Sequence, residues 1–128
     1  MFKIKNNFLI ILAILQGSLM GATIKHIDVK GIQVPIIFEE QKSLPILNLQ
    51  LVFQNSGYIQ DKDKSGLVSL SSKLLNEGTK ELGATAFAQE LEENAISLTT
   101  SNGFETFVIE LSNLKEQSQK GIELLTAL

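Results

Sequence analysis

The polar and apolar positions of this chain change period three times after residue 22. From Thr23 they alternate, with Ile24, His26 and Asp28 pointing one way and Lys25, Ile27 and Val29 the other, which is the period of a strand. Gly31 marks a turn, and Ile32 to Glu39 make a second strand in which Pro35 requires an edge position or a bulge. In "LPILNLQLVFQNSG", Ile46, Asn48 and Gln50 alternate with Leu47, Leu49, Leu51 and Phe53, and Asn55-Ser56-Gly57 closes this third strand. Three strands separated by turn signals predict a meander.

The period then becomes helical. In "DKDKSGLVSLSSKLLNEGT", Leu67, Leu70 and Leu74 form an apolar stripe with Val68 and Leu75 beside it. Asp63 or Ser65 is placed to cap its start, and Gly78 to end it in the left-handed conformation. "GATAFAQELEENA" predicts a second helix with Phe87 and Leu91 one turn apart, capped by Thr85 or a residue just before it. "AISLTTSNGFETFVIELSN" returns to period two, as a hairpin turning near Asn102-Gly103 with Phe107, Ile109 and Leu111 on one side. "LKEQSQKGIELLTAL" begins a third helix, which reaches Leu128 in mid-stripe without a stop signal and predicts a chain that continues. The element order is βββααββα, an α+β fold with a mostly antiparallel sheet and helices on one face.

Before Thr23 the pattern has another meaning. Lys3 and Lys5 give a positive start, Phe8 to Leu15 are all apolar, and Gly21-Ala22 are small. This is the order of a secretory signal peptide, residues 1–22, cleaved after Ala22, with Met20 in place of the more usual alanine. The alternative is a membrane anchor, but even Phe8 to Ala22 falls short of the roughly 20 apolar residues a span needs. The expected product is exported, periplasmic in a Gram-negative bacterium, and has no membrane span once the signal is removed.

Composition narrows the chemistry. The 128 residues, 44% hydrophobic and 20% charged, suit one small folded domain or part of a larger one. Without Lys3 and Lys5 the chain keeps nine lysines against 14 acids, a formal charge of −5, and it has no arginine. That balance argues against a nucleic-acid footprint. The absence of cysteine excludes disulfides, thiolate metal sites, thiol catalysis and a lipoprotein anchor. His26 is the only histidine, so neither a histidine-pair metal site nor a Ser-His-Asp triad can form within this chain.

Three strands, then Gly66-Leu67-Val68 opening a helix, then Gly78-Thr79, then "FAQELEENAISLTTSNGFETFVIEL", together resemble the pitrilysin/insulinase family of zinc peptidases, which includes the mitochondrial processing peptidases. The likeness runs from about Ile24 to the end of the chain. It implies that residues 23–128 are the N-terminal part of a pitrilysin-like metallopeptidase domain. In that family a helix carries Gly-Leu-Ala-His-x-x-Glu-His, with Gly-Thr following. Two histidines four apart share a zinc ion, and the glutamate acts as general base on its water. Here the histidine positions fall on Ser69 and Lys73 and the glutamate position on Ser72. A neutral hydroxyl is a poor zinc ligand, an ammonium repels a dication, and serine is no base near neutral pH. The resemblance therefore implies a scaffold kept without its chemistry. The chain itself would hold no cofactor, zinc belonging to the active members.

Other features have plain readings. Ser69 and Lys73 are i and i+4, but a Ser–Lys dyad needs a desolvated lysine and an oxyanion hole, and a solvated polar face is the simpler account. Glu90, Glu92 and Glu93 read as acidic surface, and His26 as a surface histidine. The strand Ser97, Leu98, Thr99, Thr100, Ser101 is polar and β-prone. In the family the matching strand is an edge that pairs with substrate backbone, which implies peptide binding here by strand addition. By resemblance the expected role is that of a non-catalytic subunit, shaping a peptide-binding chamber beside a zinc-bearing family partner. The alternatives are a peptide-binding or scaffold protein with no part in proteolysis, and an active metallopeptidase using other ligands, which the residue inventory disfavours.

Overall fold

The computed structural model describes residues 21–128, in which the elements follow the expected order βββααββα. The apolar run Phe8 to Leu15, on which the expectation of a signal peptide rests, lies outside the described residues. The chain divides into two compact units, between Ser43 and Leu44.

The first unit contains an antiparallel hairpin of β1 (Thr23–Val29) and β2 (Ile32–Phe38). Its two-residue turn puts Lys30 at φ 54° and Gly31 at φ 85°, the positive angles that suit the twist of paired strands. Asp28 supports the turn: its Oδ1 accepts from the Gly31 amide and its Oδ2 from Gln33 Nε2, both at 3.0 Å. Pro35 pairs in register with His26 and no bulge is needed. Counted from Val29–Ile32 at the turn, His26–Pro35 is a non-hydrogen-bonded pair, so the missing amide hydrogen breaks no ladder bond. His26 is exposed, as expected.

The second unit contains β3 (Ile46–Gln54), α1 (Leu67–Leu75), α2 (Ala84–Glu93), β4 (Ser97–Asn102), β5 (Thr106–Leu114) and α3 (Ser118–Ala127). The sheet order is β3-β5-β4, antiparallel throughout. The meander expectation therefore stops at β2, because β3 takes β5 as its partner rather than β2. Both strands have nine residues and pair along their whole length, which sets Leu47, Leu49, Leu51 and Phe53 opposite Asn113, Leu111, Ile109 and Phe107. That register puts the apolar positions of both strands on one face, the condition that fixes a register.

The core sits between this face and the helices. Leu111 of the central strand is fully buried, with Leu98 from β4, Ile96, Phe87 from α2 and Leu124 from α3 around it. Leu91 packs against the cluster one turn after Phe87, as its spacing predicts. Helix α3 comes close to the sheet at Gly121, where a Cβ would lie 2.8 Å from Asn113 Oδ1. Lys120 Nζ lies 2.6 Å from a Glu90 carboxylate oxygen and ties α3 to α2. The hydrogen bond to Glu90 raises the lysine's pKa above its ordinary value, with the charges of Glu90 and Glu123 adding to it against desolvation. Of the acidic surface on α2, Glu90 is thus paired, and Glu93 accepts from Gln89 Nε2.

The helix ends differ from the sequence expectation. Neither Asp63 nor Ser65 caps α1. Gly66, at φ 88°, is the N-cap residue, and Asp61 reaches forward so that its Oδ2 accepts from the Gly66 amide and its Oδ1 from the Val68 amide, both at 2.8 Å. A left-handed glycine brings the chain round so that a carboxylate from the preceding loop faces the free amides and the positive end of the helix dipole. Asp61→Ala is expected to destabilise the unit by about 1 kcal/mol, read as a lower midpoint in urea. An unchanged midpoint would remove this role.

Gly78 does not end α1 as its cap, because the helix stops at Leu75 and Asn76 follows in right-handed geometry. Its φ of 127° serves a tight approach instead, since a Cβ there would lie 2.7 Å from Leu82 O. The N-cap of α2 is Gly83, just before Thr85 as the alternative expectation had it, with no side-chain bond.

Candidate functional site

Helix α1 lies against the edge strand β4. The apolar stripe does not decide which way it turns. Leu67, Leu70 and Leu74 are exposed, whereas Val68, Ser69, Ser72 and Leu75 are buried or half-buried. Ser72 is only 3% exposed, and its bonds explain the orientation. Thr100 Oγ1 donates to the Ser72 carbonyl oxygen at 2.6 Å, and the two hydroxyl oxygens are 3.0 Å apart. Thr100 has one hydroxyl proton, and the carbonyl takes it, so Ser72 Oγ is the donor in the second bond. Strand alternation puts Thr100 on the same face as Leu98, under the helices. A pair of hydroxyls that satisfy each other and a helix carbonyl thus takes the side of α1 turned to β4, where polar groups without partners would be costly, and the three leucines take the exposed side.

The three positions that the family resemblance assigns to catalysis thus have separate environments. Ser72 is buried and occupied with Thr100. Ser69 is half-buried beside it, and Lys73 is exposed on the flank of the helix. Among the described residues no hydrogen bond joins Ser69 to Lys73, no carboxylate pairs with Lys73, and no group of three metal-ligating side chains comes together. Chemically this cluster offers two hydroxyls and one fixed cation.

Strand β4 contains all five residues of the expected peptide edge, Ser97, Leu98, Thr99, Thr100 and Ser101, and it is an edge strand of its sheet. Its backbone groups alternate in direction. The Gly103 amide donates to Thr106 O at 2.8 Å and the Lys115 amide to Pro45 O at 2.8 Å. With the observed registers, both bonds fix the same phase: Leu111 and Ile109 face β3, so their partners Leu98 and Thr100 face away from β5. The amide and carbonyl groups of Leu98 and Thr100 therefore point to the free edge. Ser97, Thr99 and Ser101 use theirs within the sheet and expose their side chains on the face opposite the helices. Leu98 is 6% exposed, a core residue that could meet a ligand only through its backbone.

The Ser72–Thr100 contact was not legible in the chain, since the two residues are 28 apart and neither breaks a local pattern.

No family model matches the chain. Over 121 residues, 92% of its length, it is 40% identical to a Helicobacter pylori protein described as a non-peptidase homologue, YmxG, and it spans 28% of that protein. Solved structures share the fold. The crystal structure of a peptidase M16 inactive domain from Pseudomonas fluorescens superposes with a TM-score of 0.71 at 23% identity, covering 82% of this chain and 26% of that one. A protease from Helicobacter pylori superposes with a TM-score of 0.67 at 18% identity, covering 83% and 25% respectively. The chain thus spans about a quarter of the proteins it matches. The sequence is thus homologous to part of a non-peptidase homologue, and its fold is that of the peptidase M16 inactive domain, in keeping with the resemblance to the pitrilysin family.

Proposed function

We propose that the protein of which this chain is a part is an exported, catalytically silent pitrilysin-family subunit that binds peptide beside a zinc-bearing partner. The observation that carries this reading is the state of α1: where a general base would face a bound metal, Ser72 is buried against Thr100, with Lys73 one residue on. Such a helix neither attracts a dication nor activates water. The free edge of β4 supports the peptide-binding half of the proposal, with Leu98 and Thr100 offering backbone groups to an added strand. The apolar run from Phe8 to Leu15 behind two lysines supports export, to the periplasm in a Gram-negative bacterium.

The test is to purify the full-length protein alone and together with an exported relative from the same organism that has an intact His-x-x-Glu-His helix. Alone, it should hold substoichiometric zinc and leave a quenched fluorescent peptide uncut. The pair should co-purify and cut faster than the relative alone. Chelator-sensitive cleavage by the protein alone overturns the proposal. The description of its Helicobacter relative as a non-peptidase homologue also fits a second reading, a peptide-binding or scaffold protein outside proteolysis. Peptide binding without any association with a zinc-bearing relative selects that one.

A further inference from the structure

We infer that Ser72 and Thr100 are positioning residues for peptide: their paired hydroxyls hold β4 in the geometry an incoming strand needs. The inference rests on the proposed peptide edge and adds what prepares it. An edge strand has ladder bonds on one side only and is the part of a sheet most prone to open. β4 is short, six residues, and bonds only to β5 within its sheet. Its second anchor is Thr100, whose side chain is bonded twice to α1 while its backbone faces the free edge. One residue thus joins the scaffold to the surface where a peptide would pair. Ordering a loose strand at the moment of binding weakens affinity, and ordering it beforehand removes that loss. The residue at the family's general-base position has on this account taken a second task. The serine that cannot activate water is small enough to be buried and polar enough to fix the neighbouring strand.

Three variants of the full-length protein separate the contributions. Thr100→Val keeps the shape and removes both bonds, Ser72→Ala removes one, and Thr100→Ser keeps both. Hydrogen exchange is followed at the Thr99 and Ser101 amides, which face β5, with Leu49 and Leu51 in β3 as reference. Thr100→Val should speed exchange at β4 about tenfold and leave β3 unchanged, Ser72→Ala should have a smaller effect, and Thr100→Ser should match the wild type. Binding is measured with a nonapeptide of alternating valine and lysine, and with the same peptide N-methylated at alternate residues to block strand pairing. The unmethylated peptide should bind the wild type, bind Thr100→Val about tenfold more weakly, and recover with Thr100→Ser. A cooperative melt for each variant shows that it is folded. If the wild type binds the peptide and Thr100→Val binds it equally well, this inference fails and the peptide edge stands. If the wild type binds neither peptide, or both equally, strand pairing at β4 fails and takes the inference with it. Unchanged β4 exchange in Thr100→Val also overturns it.

Discussion

Replacing Ser72 with glutamate, the residue type that the family resemblance places there, is expected to destabilise the protein by about 3 kcal/mol. In an active zinc site a carboxylate at this position faces metal and water. Here the side chain is 3% exposed, and its Oγ lies 3.0 Å from Thr100 Oγ1. Glutamate would carry a charge into that contact with more atoms than the space holds. Lys73, the next residue, is exposed and points to a different side of the helix. The helix must shift, or the carboxyl must take up a proton, and either outcome lowers stability. Urea unfolding of wild type and variant measures the loss. A variant as stable as the wild type would mean that Ser72 is not held as described, and that the motif positions remain open to a base.

Gly57→Ala should cost about as much, roughly 3 kcal/mol. Gly57 follows β3 where the chain passes the β4–β5 turn. A Cβ on it would overlap the carbonyl oxygen of Gly103 and come within 2.5 Å of that of Phe104. Both obstacles are backbone, so no side chain can swing aside. Relief would require the turn to move, and three bonds hold it: Ser56 N to Glu105 O at 3.1 Å, Tyr58 N to Gly103 O at 3.0 Å and Ile59 N to Phe104 O at 2.9 Å. The same turn ends β4, so the variant should also speed exchange at Ser101. Gly103→Ala is the control, because its Cβ would meet only the Thr106 hydroxyl, at 3.3 Å. If the two alanine variants unfold at the same denaturant concentration, the close approach at Gly57 is not what holds this corner.

Both predictions concern contacts that link distant parts of the chain, and these are where the sequence stops being readable. The strand period grouped Leu49 with the inward side of β3, and Ile109 with Leu111 on one side of β5, as the core has them, because alternation is set by backbone geometry alone. The helix period placed Phe87 and Leu91 correctly for the same reason. It failed on α1. Leu67, Leu70 and Leu74 form a good stripe, yet they are exposed, and the side of the helix turned to β4 is the one on which Ser72 bonds to Thr100, 28 residues away. The caps failed similarly: Asp63 and Ser65 lie at the expected spacing, but the loop folds back and brings Asp61 to the amides.

At the candidate site the chain by itself determined identity: a hydroxyl, a second hydroxyl and an ammonium at Ser69, Ser72 and Lys73, and a polar, β-prone segment at Ser97 to Ser101. Residue type fixes which chemistry is available, so the resemblance and these three residues together already implied a helix without zinc ligands or base. Only the tertiary structure decided that Ser72 is buried against Thr100, that β4 is an edge, and that the backbone groups of Leu98 and Thr100 are the ones turned outward. Those facts depend on which strand pairs with which and in what phase. Pairing is set by the combined burial of many side chains, which no local pattern carries.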